Sequence, residues 1–209
     1  MKLEPIALSG QLVRLEPLTR SHVEGLSVVG LDPEIWRWNP RPPLTTREDM
    51  ASYVEQALAQ QASGCALPFA TIERASGRVV GSTRFHTFEP AQPRIEIGYT
   101  WIAPPWQRSG INTEAKYLML RHAFGALGCI RVELKTDALN ARSRAAILRI
   151  GATEEGTLRH HMVTASGRLR DSVYFGIIAP EWPAVRARLE DRLLREIRER
   201  LEPLPLGLG

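Results

Sequence analysis

The segment best suited to chemistry lies between residues 95 and 115, where a strand-like run leads through a proline-containing loop into the clearest helix pattern of the chain. Backbone N–H groups at the start of a helix, reinforced by the helix dipole, form a binding site for phosphate. Gly110 stands just before this helix and permits a positive φ or a close approach of phosphate, and Arg108 adds a positive charge. The segment therefore predicts an anion site, although the turn alone is more often an ordinary strand-to-helix connection. It matches neither GxGxxG nor the P-loop pattern.

The elements around this segment alternate in type and predict an α/β (α+β) fold. Strands are predicted at 12–16, 67–72, 79–88, 94–102, 131–136, 158–163 and 169–178, and helices at 21–29, 45–63, 113–127, 141–150 and 181–201. The three strands between 67 and 102 are expected to form an antiparallel meander. The stretch 30–44, rich in proline and tryptophan, is predicted as a loop, because proline removes a backbone donor and restricts the residue before it.

No repeat or linker divides the chain. We therefore expect residues 1–209 to form a single domain, with a core at about 10–178, a terminal helix at 181–202 and a frayed tail at 203–207. The composition fits this expectation, since 44% of the 209 residues are apolar and 24% are charged. A chain of this length folds without disulfides or a structural metal, and its composition argues against disorder and coiled coils.

Charge and hydropathy exclude two classes of partner. The formal net charge is +4, and the basic residues are nearly all arginines spread along the chain. A nucleic-acid surface requires a one-signed stripe or cluster with aromatic residues beside it, and none is visible. The first five residues include an acid and a proline, and no run of about 18 apolar residues occurs. We therefore expect a cytoplasmic protein that binds neither nucleic acid nor membranes.

The two cysteines give no sign of a metal or redox site. Cys65 and Cys129 lack both CxxC spacing and a histidine at metal-ligand spacing, so they are predicted to be packing residues and no metal is expected. Neither has a base nearby in sequence, which argues against a covalent intermediate on cysteine.

Four motifs in order resemble the GNAT N-acetyltransferases, in particular the RimJ/RimL-type branch that acetylates ribosomal-protein N-termini. The sequence Gln107-x-x-Gly110-x-Asn112 fits the family pattern Q/R-x-x-G-x-G/A except at its last position, where asparagine tolerates a left-handed conformation or caps a helix. Ile95-Glu96-Ile97-Gly98-Tyr99 precedes it, and Asn140-x-x-Ser143-Arg144 and Ile150-Gly151-Ala152-x-x-Glu155-Gly156 follow it. The order of elements agrees too, so the resemblance spans about residues 10–178.

The resemblance implies a mixed central sheet of about seven strands, splayed in the middle, flanked by helices and followed by a C-terminal helix. Two neighbouring strands, one ending near Ile102 and the other at 131–136, would part and admit the pantetheine arm of acetyl-CoA. The residues implied to bind this cosubstrate are Trp101 and Ile102 through their backbone, Gln107, Arg108, Ser109, Gly110, Ile111, Asn112 and Thr113 around the pyrophosphate, Asn140 at the pantetheine amide, and Ser143 near the thioester sulfur.

Acetyl transfer to an amine needs a neutral nucleophile, and Glu96 is the predicted general base. An α-amine has a pKa near ~8 and a lysine near ~10.4, so a proton must leave before or during attack. Glu96 lies in an otherwise apolar strand, where partial burial is expected to raise its pKa, and it would accept the proton directly or through a water. The alternative is that Glu96 faces solvent or pairs with an arginine of a neighbouring strand.

Two further groups are predicted to assist the transfer. Ser143 would protonate or hydrogen-bond the leaving thiolate, with a plain role in the first turn of a helix as the alternative. A backbone N–H near Ile102 or Ala103 would polarise the thioester carbonyl.

The acceptor pocket is predicted from an irregular loop and from polar side chains on nearby strands. Tryptophans on a loop are more typical of a pocket or lid than of the core. The assigned residues are Trp36, Trp38, Asn39, Arg84 and His86. His160 and His161 would point to opposite faces of a strand and cannot share one site, so at most one of them in the 160–162 run contacts the acceptor.

These patterns predict an acetyl-CoA-dependent N-acetyltransferase that passes acetyl directly to a primary amine of a peptide N-terminus or a small molecule. The apolar face of the terminal helix packs on its own domain or on a second subunit, and we expect a homodimer. Two alternatives stay open, namely a longer acyl-CoA such as succinyl-CoA on the same fold, and a non-catalytic acyl-CoA-binding module.

Overall fold

The predicted strand and helix patterns assemble into a mixed sheet with helices on both faces, in a computed structural model that describes residues 3–201, with side chains up to residue 199. The strands are β1 (Leu8–Ser9), β2 (Val13–Pro17), β3 (Ala66–Glu73), β4 (Val79–Glu89), β5 (Arg94–Ile102), β6 (Arg131–Asp137), β7 (Thr153–Val163) and β8 (Leu169–Ile178). The helices are α1 (Val23–Gly30), α2 (Pro33–Trp36), α3 (Arg47–Ala62), α4 (Ile111–Gly125), α5 (Ala141–Arg149) and α6 (Trp182–Leu201). The predicted tail at 203–207 lies outside the described residues.

The sheet has the order β1-β2-β3-β4-β5-β6-β8-β7, and every neighbouring pair is antiparallel except β5 and β6. The predicted meander of β3, β4 and β5 is confirmed. The part of the chain that is described contributes eight strands rather than about seven, because the short β1 adds to the edge. β5 and β6 pair only from Arg94 opposite Arg131 to Glu96 opposite Glu133, although both continue beyond. The two strands therefore part after Glu96, as the resemblance implied.

Each face of the sheet packs on a different set of helices. α4 and α6 cover one face, where Ile95 and Ile97 of β5 join the larger apolar core. α1, α2 and α3 cover the opposite face, where Trp101 packs among their side chains. Because side chains alternate along a strand, Glu96 points away from α4 and toward the face that carries α3.

A buried carboxylate fastens the start of the sheet to α4. Glu114, in the first turn of α4, accepts hydrogen bonds from the backbone N–H groups of Gln11, Leu12 and Val13 at 2.8, 2.7 and 2.7 Å. Gly10 allows this approach, because a Cβ at that position would lie 2.3 Å from the carboxyl carbon of Glu114. The first strand segment and the helix that follows β5 are thus held together by one side chain.

Three predictions about local structure are wrong. The stretch 30–44 is not all loop, because Pro33–Trp36 forms the short helix α2; Asp32 caps it by accepting a hydrogen bond from the Glu34 N–H at 2.9 Å, and proline suits the first helical position. α4 begins at Ile111 rather than 113, so Asn112 lies inside the helix and does not cap it. Cys65 is exposed rather than packed, whereas Cys129 is buried and burial raises the pKa of its thiol to about 11.

The apolar face of α6 packs within the chain. Val185, Leu189 and Leu193 are buried, the first two of them in the same core as α4. Of the two partners considered for this face, its own domain is the one that covers it.

Candidate active site

The loop before α4 has the backbone geometry of an anion site. Arg108 and Gly110 both have left-handed backbone, with φ of 60° and 78°. The Glu114 N–H bonds the Gly110 carbonyl at 2.9 Å, so the N–H groups of residues 111–113 have no acceptor within the helix. Left-handed residues in such a loop let successive N–H groups face one point, which suits a phosphate. Gly110 is required twice, because a Cβ there would also lie 2.3 Å from Oε2 of Glu196 on α6.

The Gln107 side chain links the two sides of the opening between β5 and β6. Its Nε2 donates to the Ile102 carbonyl at 2.8 Å, and its Oε1 accepts from Nη1 of Arg142 on α5 at 2.8 Å. Ser109 closes the same loop by donating from its hydroxyl to the Trp106 carbonyl. Gln107 and Ser109 therefore shape the loop through their side chains.

The end of β5 is irregular where it leaves β6. The register with β4 shifts between Ser82 and Arg84, and Tyr99 has a φ of 50°, so β5 carries a bulge at this point. Beyond the bulge, the Ala103 N–H donates to the Val80 carbonyl at 2.9 Å. This bond corrects the expectation for Ala103, whose N–H is not available to a thioester carbonyl, and leaves Ile102 as the candidate of the two.

Glu96 lies at the point where the strands part. Its side chain is buried, with the residue 3% exposed, and its carboxylate contacts Nζ of Lys135 at 3.0 Å and Nε2 of His86 at 3.3 Å. Burial raises the pKa of Glu96, but the hydrogen bonds and charges of His86 and Lys135 outweigh it, so the pKa lies below its ordinary value. The predicted upward shift is wrong, because sequence did not reveal these two partners. Glu96 neither faces solvent nor pairs with an arginine.

Asn140 and Ser143 begin α5 on the other side of the opening. The side-chain oxygen Oδ1 of Asn140 caps the helix by accepting the Ser143 N–H at 3.0 Å. This leaves the Asn140 amide NH₂ to serve as a donor. Ser143 is half-buried in the first turn.

Arg84 and His86 share the face of the sheet that carries Glu96. In the antiparallel register Arg84 lies opposite Gly98, and His86 lies opposite Glu96. Tyr99 connects them, since the Arg84 guanidinium lies 4.0 Å from the Tyr99 ring centre and the His86 ring 5.0 Å from it. The predicted pocket residues Arg84 and His86 are therefore brought next to the candidate base.

The loop tryptophans have different environments. Trp36 is only 1% exposed, donates from Nε1 to the Gly30 carbonyl at 2.8 Å, and packs on Tyr53 and Trp101. Its assignment to the pocket is therefore corrected, because it is a core residue. Trp38 is half-buried under the guanidinium of Arg168.

The chain next to Trp38 docks on the hairpin of β7 and β8. Asn39 accepts the Arg41 N–H at 3.3 Å, and the Pro40 carbonyl accepts the Ala165 N–H at 2.8 Å. This part of the predicted pocket therefore forms a wall between α2 and the last hairpin.

The histidines at 160 and 161 lie in a distorted part of β7. The register with β8 shifts between Leu158 and Met162, and His160 has a φ of 49°. His160 lines a surface cavity of about 630 Å³ with Asp171, whereas the His161 ring packs 5.7 Å from Tyr174. The two side chains do not come together, and the regular alternation assumed for them does not hold.

Lys135 is the site residue that sequence reasoning missed. It lies two residues after Glu133 on β6, and the parallel pairing of Glu96 with Glu133 brings it to Glu96. Burial lowers the pKa of Lys135, but Glu96 more than offsets this, and the pKa lies above its ordinary value. The alternation of charged residues on β6 is visible in the sequence, but only the register of β6 with β5 shows that Lys135 lies at Glu96.

Within residues 3–201, no cluster of three or more His, Cys, Asp or Glu side chains could hold a metal ion. No helix in this range is both long and apolar enough to cross a membrane.

Comparison with known proteins identifies the family. The profile described as "Acetyltransferase (GNAT) domain" matches residues 13–153. A GCN5-related N-acetyltransferase from Brucella melitensis is 33% identical, with a TM-score of 0.86 over 92% of this chain and 87% of that one. RimJ from Mycobacterium smegmatis, solved with CoA-disulfide, is 25% identical, with a TM-score of 0.76 over 90% of this chain and 93% of that one.

A further relative comes from Bacillus subtilis. The protein named "Putative ribosomal N-acetyltransferase YdaF" is 34% identical over 106 residues, which span 51% of this chain and 57% of that protein. The profile match and the similarity to the Brucella protein are each sufficient to define the family. The parted strands, the left-handed loop before α4 and these likenesses agree, and the chain belongs to the GNAT N-acetyltransferases, an enzyme family, in the RimJ/RimL-type branch.

Proposed function

We propose that this protein takes the acetyl group from acetyl-CoA and transfers it directly to a primary amine, on a peptide N-terminus or a small molecule. The observation that carries the proposal is the position of Glu96. This buried carboxylate is on the last residue of β5 that pairs with β6, at the point where the two strands part. The same strand leads into the loop whose backbone suits a phosphate. A cosubstrate with a pyrophosphate and a thioester would therefore reach both features.

Acetyl-CoA would bind along the opening between the strands. The N–H groups of residues 111–113 would hold its pyrophosphate, next to the positive charge of Arg108. The backbone of Trp101 and Ile102 would bind the pantetheine arm, and the Asn140 NH₂ would donate to a pantetheine carbonyl. The likeness to RimJ, which was solved with a CoA derivative, supports this choice of cosubstrate.

Glu96 would act as the base. The amine nitrogen attacks the thioester carbonyl carbon, and as the N–C bond forms the nitrogen becomes acidic and gives its proton to Glu96, directly or through a water. The lowered pKa of Glu96 keeps this carboxylate ionised at neutral pH, ready to accept the proton. An α-amine with a pKa near ~8 is already partly neutral at that pH, so a weak base is sufficient.

The tetrahedral intermediate then collapses with cleavage of the C–S bond. A backbone N–H near Ile102 would stabilise the oxyanion before collapse. Ser143 would donate a hydrogen bond or a proton to the departing thiolate, which leaves as CoA. The acetyl group ends on the amine nitrogen as an amide.

The experiment is an acceptor screen that measures thiol release from acetyl-CoA over amino acids, polyamines, aminoglycosides and N-terminal peptides. On any accepted amine, Glu96→Gln should lower kcat by about 100-fold or more, because the amide cannot take the proton. Glu133→Gln is the matched control, since Glu133 lies directly opposite on β6, and it should behave like wild type. CoA release by Glu96→Gln at the wild-type rate at every pH would refute the role of Glu96.

We also propose a cytoplasmic homodimer of this single domain, residues 1–209. Because Val185 and Leu189 are already buried in their own chain, the dimer would use a surface other than that face of α6. Light scattering of the purified protein measures the oligomeric state.

A further inference from the structure

Two arginines on the acceptor side of the sheet lie against the same aromatic ring. The guanidinium carbons of Arg41 and Arg84 are 5.0 and 5.3 Å from the centre of the Tyr53 ring. Arg41 comes from the loop before α3, and Arg84 comes from β4. The fold therefore brings together two positive charges that are far apart in sequence.

Each of these arginines is held by a neutral amide instead of a carboxylate. Nη2 of Arg41 donates to Oε1 of Gln56 at 2.9 Å, and Nη1 of Arg84 donates to Oε1 of Gln60 at 2.8 Å. Gln56 and Gln60 are one turn apart on α3, so one helix face supplies both acceptors. Among the described side chains, neither arginine has an acidic partner, and both keep an uncompensated charge.

Burial makes this arrangement unfavourable unless an anion completes it. Arg84 is only 2% exposed, and the Nε atoms of Arg41 and Arg84 are both buried without a hydrogen-bond partner. Stacking on Tyr53 and Tyr99 recovers part of the lost hydration energy, but it leaves the Nε–H donors unused. Arginine presents its donors in the geometry that a carboxylate accepts in pairs.

The arginine pair is close to the candidate base. Arg84 is opposite Gly98, so Glu96 is its diagonal neighbour, a position about 7–8 Å away between Cα atoms in an antiparallel pair. A cavity of about 440 Å³ is lined by Gln60, which accepts from Arg84, by His86, which contacts Glu96, and by Tyr99. One small acceptor could therefore place its amine next to Glu96 and an anionic group next to Arg84.

We propose that the acceptor carries a carboxylate close to the amine that is acetylated, and that Arg84 binds this carboxylate with help from Arg41. This inference rests on the proposed function and names its substrate class. Two sources have the required chemistry: a free amino acid, or a peptide whose second residue is Asp or Glu. Polyamines and aminoglycosides, which carry only positive charge, should be poor acceptors.

The test compares matched acceptors with and without the carboxylate, and kcat/KM is calculated on the concentration of unprotonated amine because a neighbouring carboxylate makes the amine more basic. Glycine is paired with glycinamide, and a Ser-Glu peptide amide is paired with the Ser-Gln peptide amide. Wild type should prefer the carboxylate member of one pair by at least about tenfold in kcat/KM, and which pair responds identifies the source. In Arg84→Met the preference should fall to about one, and in Arg41→Met it should fall partly.

A binding measurement covers the case in which turnover is slow. With CoA present, calorimetry should show tighter binding of N-acetylglycine or the acetylated Ser-Glu peptide than of the matching amide, and Arg84→Met should remove the difference. Arg84→Lys keeps the positive charge but not the paired donors of arginine, so it should retain part of the difference in binding between acid and amide. A retained difference also shows that the variant is folded. Arg20→Met is the control, since Arg20 is exposed and already pairs with Glu55 at 2.6 Å.

The outcomes separate this inference from the proposed function. If wild type acetylates amides as well as carboxylates, or if Arg84→Met keeps the preference, the inference is wrong while the acetyltransfer stands. If no amine in the screen releases CoA, the proposed function fails. Equal binding of the acid and amide products by wild type also overturns the inference.

Discussion

Replacing Lys116 by methionine tests whether this buried amine is neutral in the folded protein. Lys116 lies on α4 and is 5% exposed, and its Nζ donates to Oγ1 of Thr100 at 2.5 Å and to Oγ1 of Thr83 at 3.3 Å. No carboxylate among the described side chains pairs with it. Burial lowers the pKa of Lys116 from its ordinary value of 10.5 to about 7.

This shift predicts the size and the sign of a pH effect. Between pH 7 and about 10 the unfolded chain keeps the proton on Lys116 and the folded chain has lost it. The unfolded state then binds more protons, so stability rises with pH by up to about 1.4 kcal/mol per unit. From pH 7, where the folded group is half protonated, to about pH 9.5, Lys116 adds about 3 kcal/mol to the free energy of unfolding.

The assay is urea denaturation, followed by circular dichroism, of wild type and Lys116→Met at pH 7 and about pH 9.5. Methionine is an unbranched side chain one heavy atom shorter than lysine and has no proton to lose, and the hydroxyls of Thr83 and Thr100, 2.7 Å apart, can still bond each other. The stability of the variant relative to wild type should therefore decrease by about 3 kcal/mol between the two pH values.

Lys135→Met is the control, because the pKa of Lys135 is raised and the group stays protonated throughout this range. Its difference from wild type should be nearly constant. A difference between Lys116→Met and wild type that is also constant, to within about 0.5 kcal/mol, would refute the neutral lysine.

Three other changes have expected outcomes. Gly110→Val should weaken acetyl-CoA binding in calorimetry by at least about tenfold, because a Cβ there meets Glu196 and the φ is left-handed; unchanged affinity would exclude the loop as the pyrophosphate site. Glu114→Ala should cost about 3 kcal/mol or more in urea denaturation, because two buried N–H groups and one partly buried N–H group lose their acceptor, and a cost below about 1 kcal/mol would contradict that role. Lys135→Met should shift the acid limb of the pH profile of kcat/KM to higher pH, because Glu96 loses a cation that lowers its pKa. An acid limb at the same pH as in wild type would show that this limb does not report the ionisation of Glu96.

The features of the site that can be predicted from the sequence are those whose conformation depends on residues nearby in the chain. Gly110 before a strong helix pattern permits a positive φ and indicates an anion site; the positive φ and α4 are present, and the anion site stays a prediction. Glu96 was recognisable because it interrupts an apolar strand. In both cases the physical cause lies within a few residues of the feature.

The parts that sequence did not predict depend on distant partners. Its place in a loop rich in tryptophan and proline predicts a pocket position for Trp36, and nothing nearby in sequence shows that it packs on Tyr53 and Trp101. The direction of the Glu96 pKa shift depends on His86 and Lys135, and therefore on the register of both neighbouring strands.

The contacts of Glu114 also bear on the order in which the protein folds. β1 to β5 are consecutive in both the sequence and the sheet, and β1–β2 and β3–β4–β5 pair across short connections, whereas β2 reaches β3 across the segment that holds α1, α2 and α3. The bonds from Glu114 to residues 11–13 close loops of 101 to 103 residues, and they form only after α4 has been synthesised. We therefore expect a nascent chain on the ribosome to hold a loosely attached first strand, and to become resistant to proteolysis at its N-terminus once residue 114 has emerged.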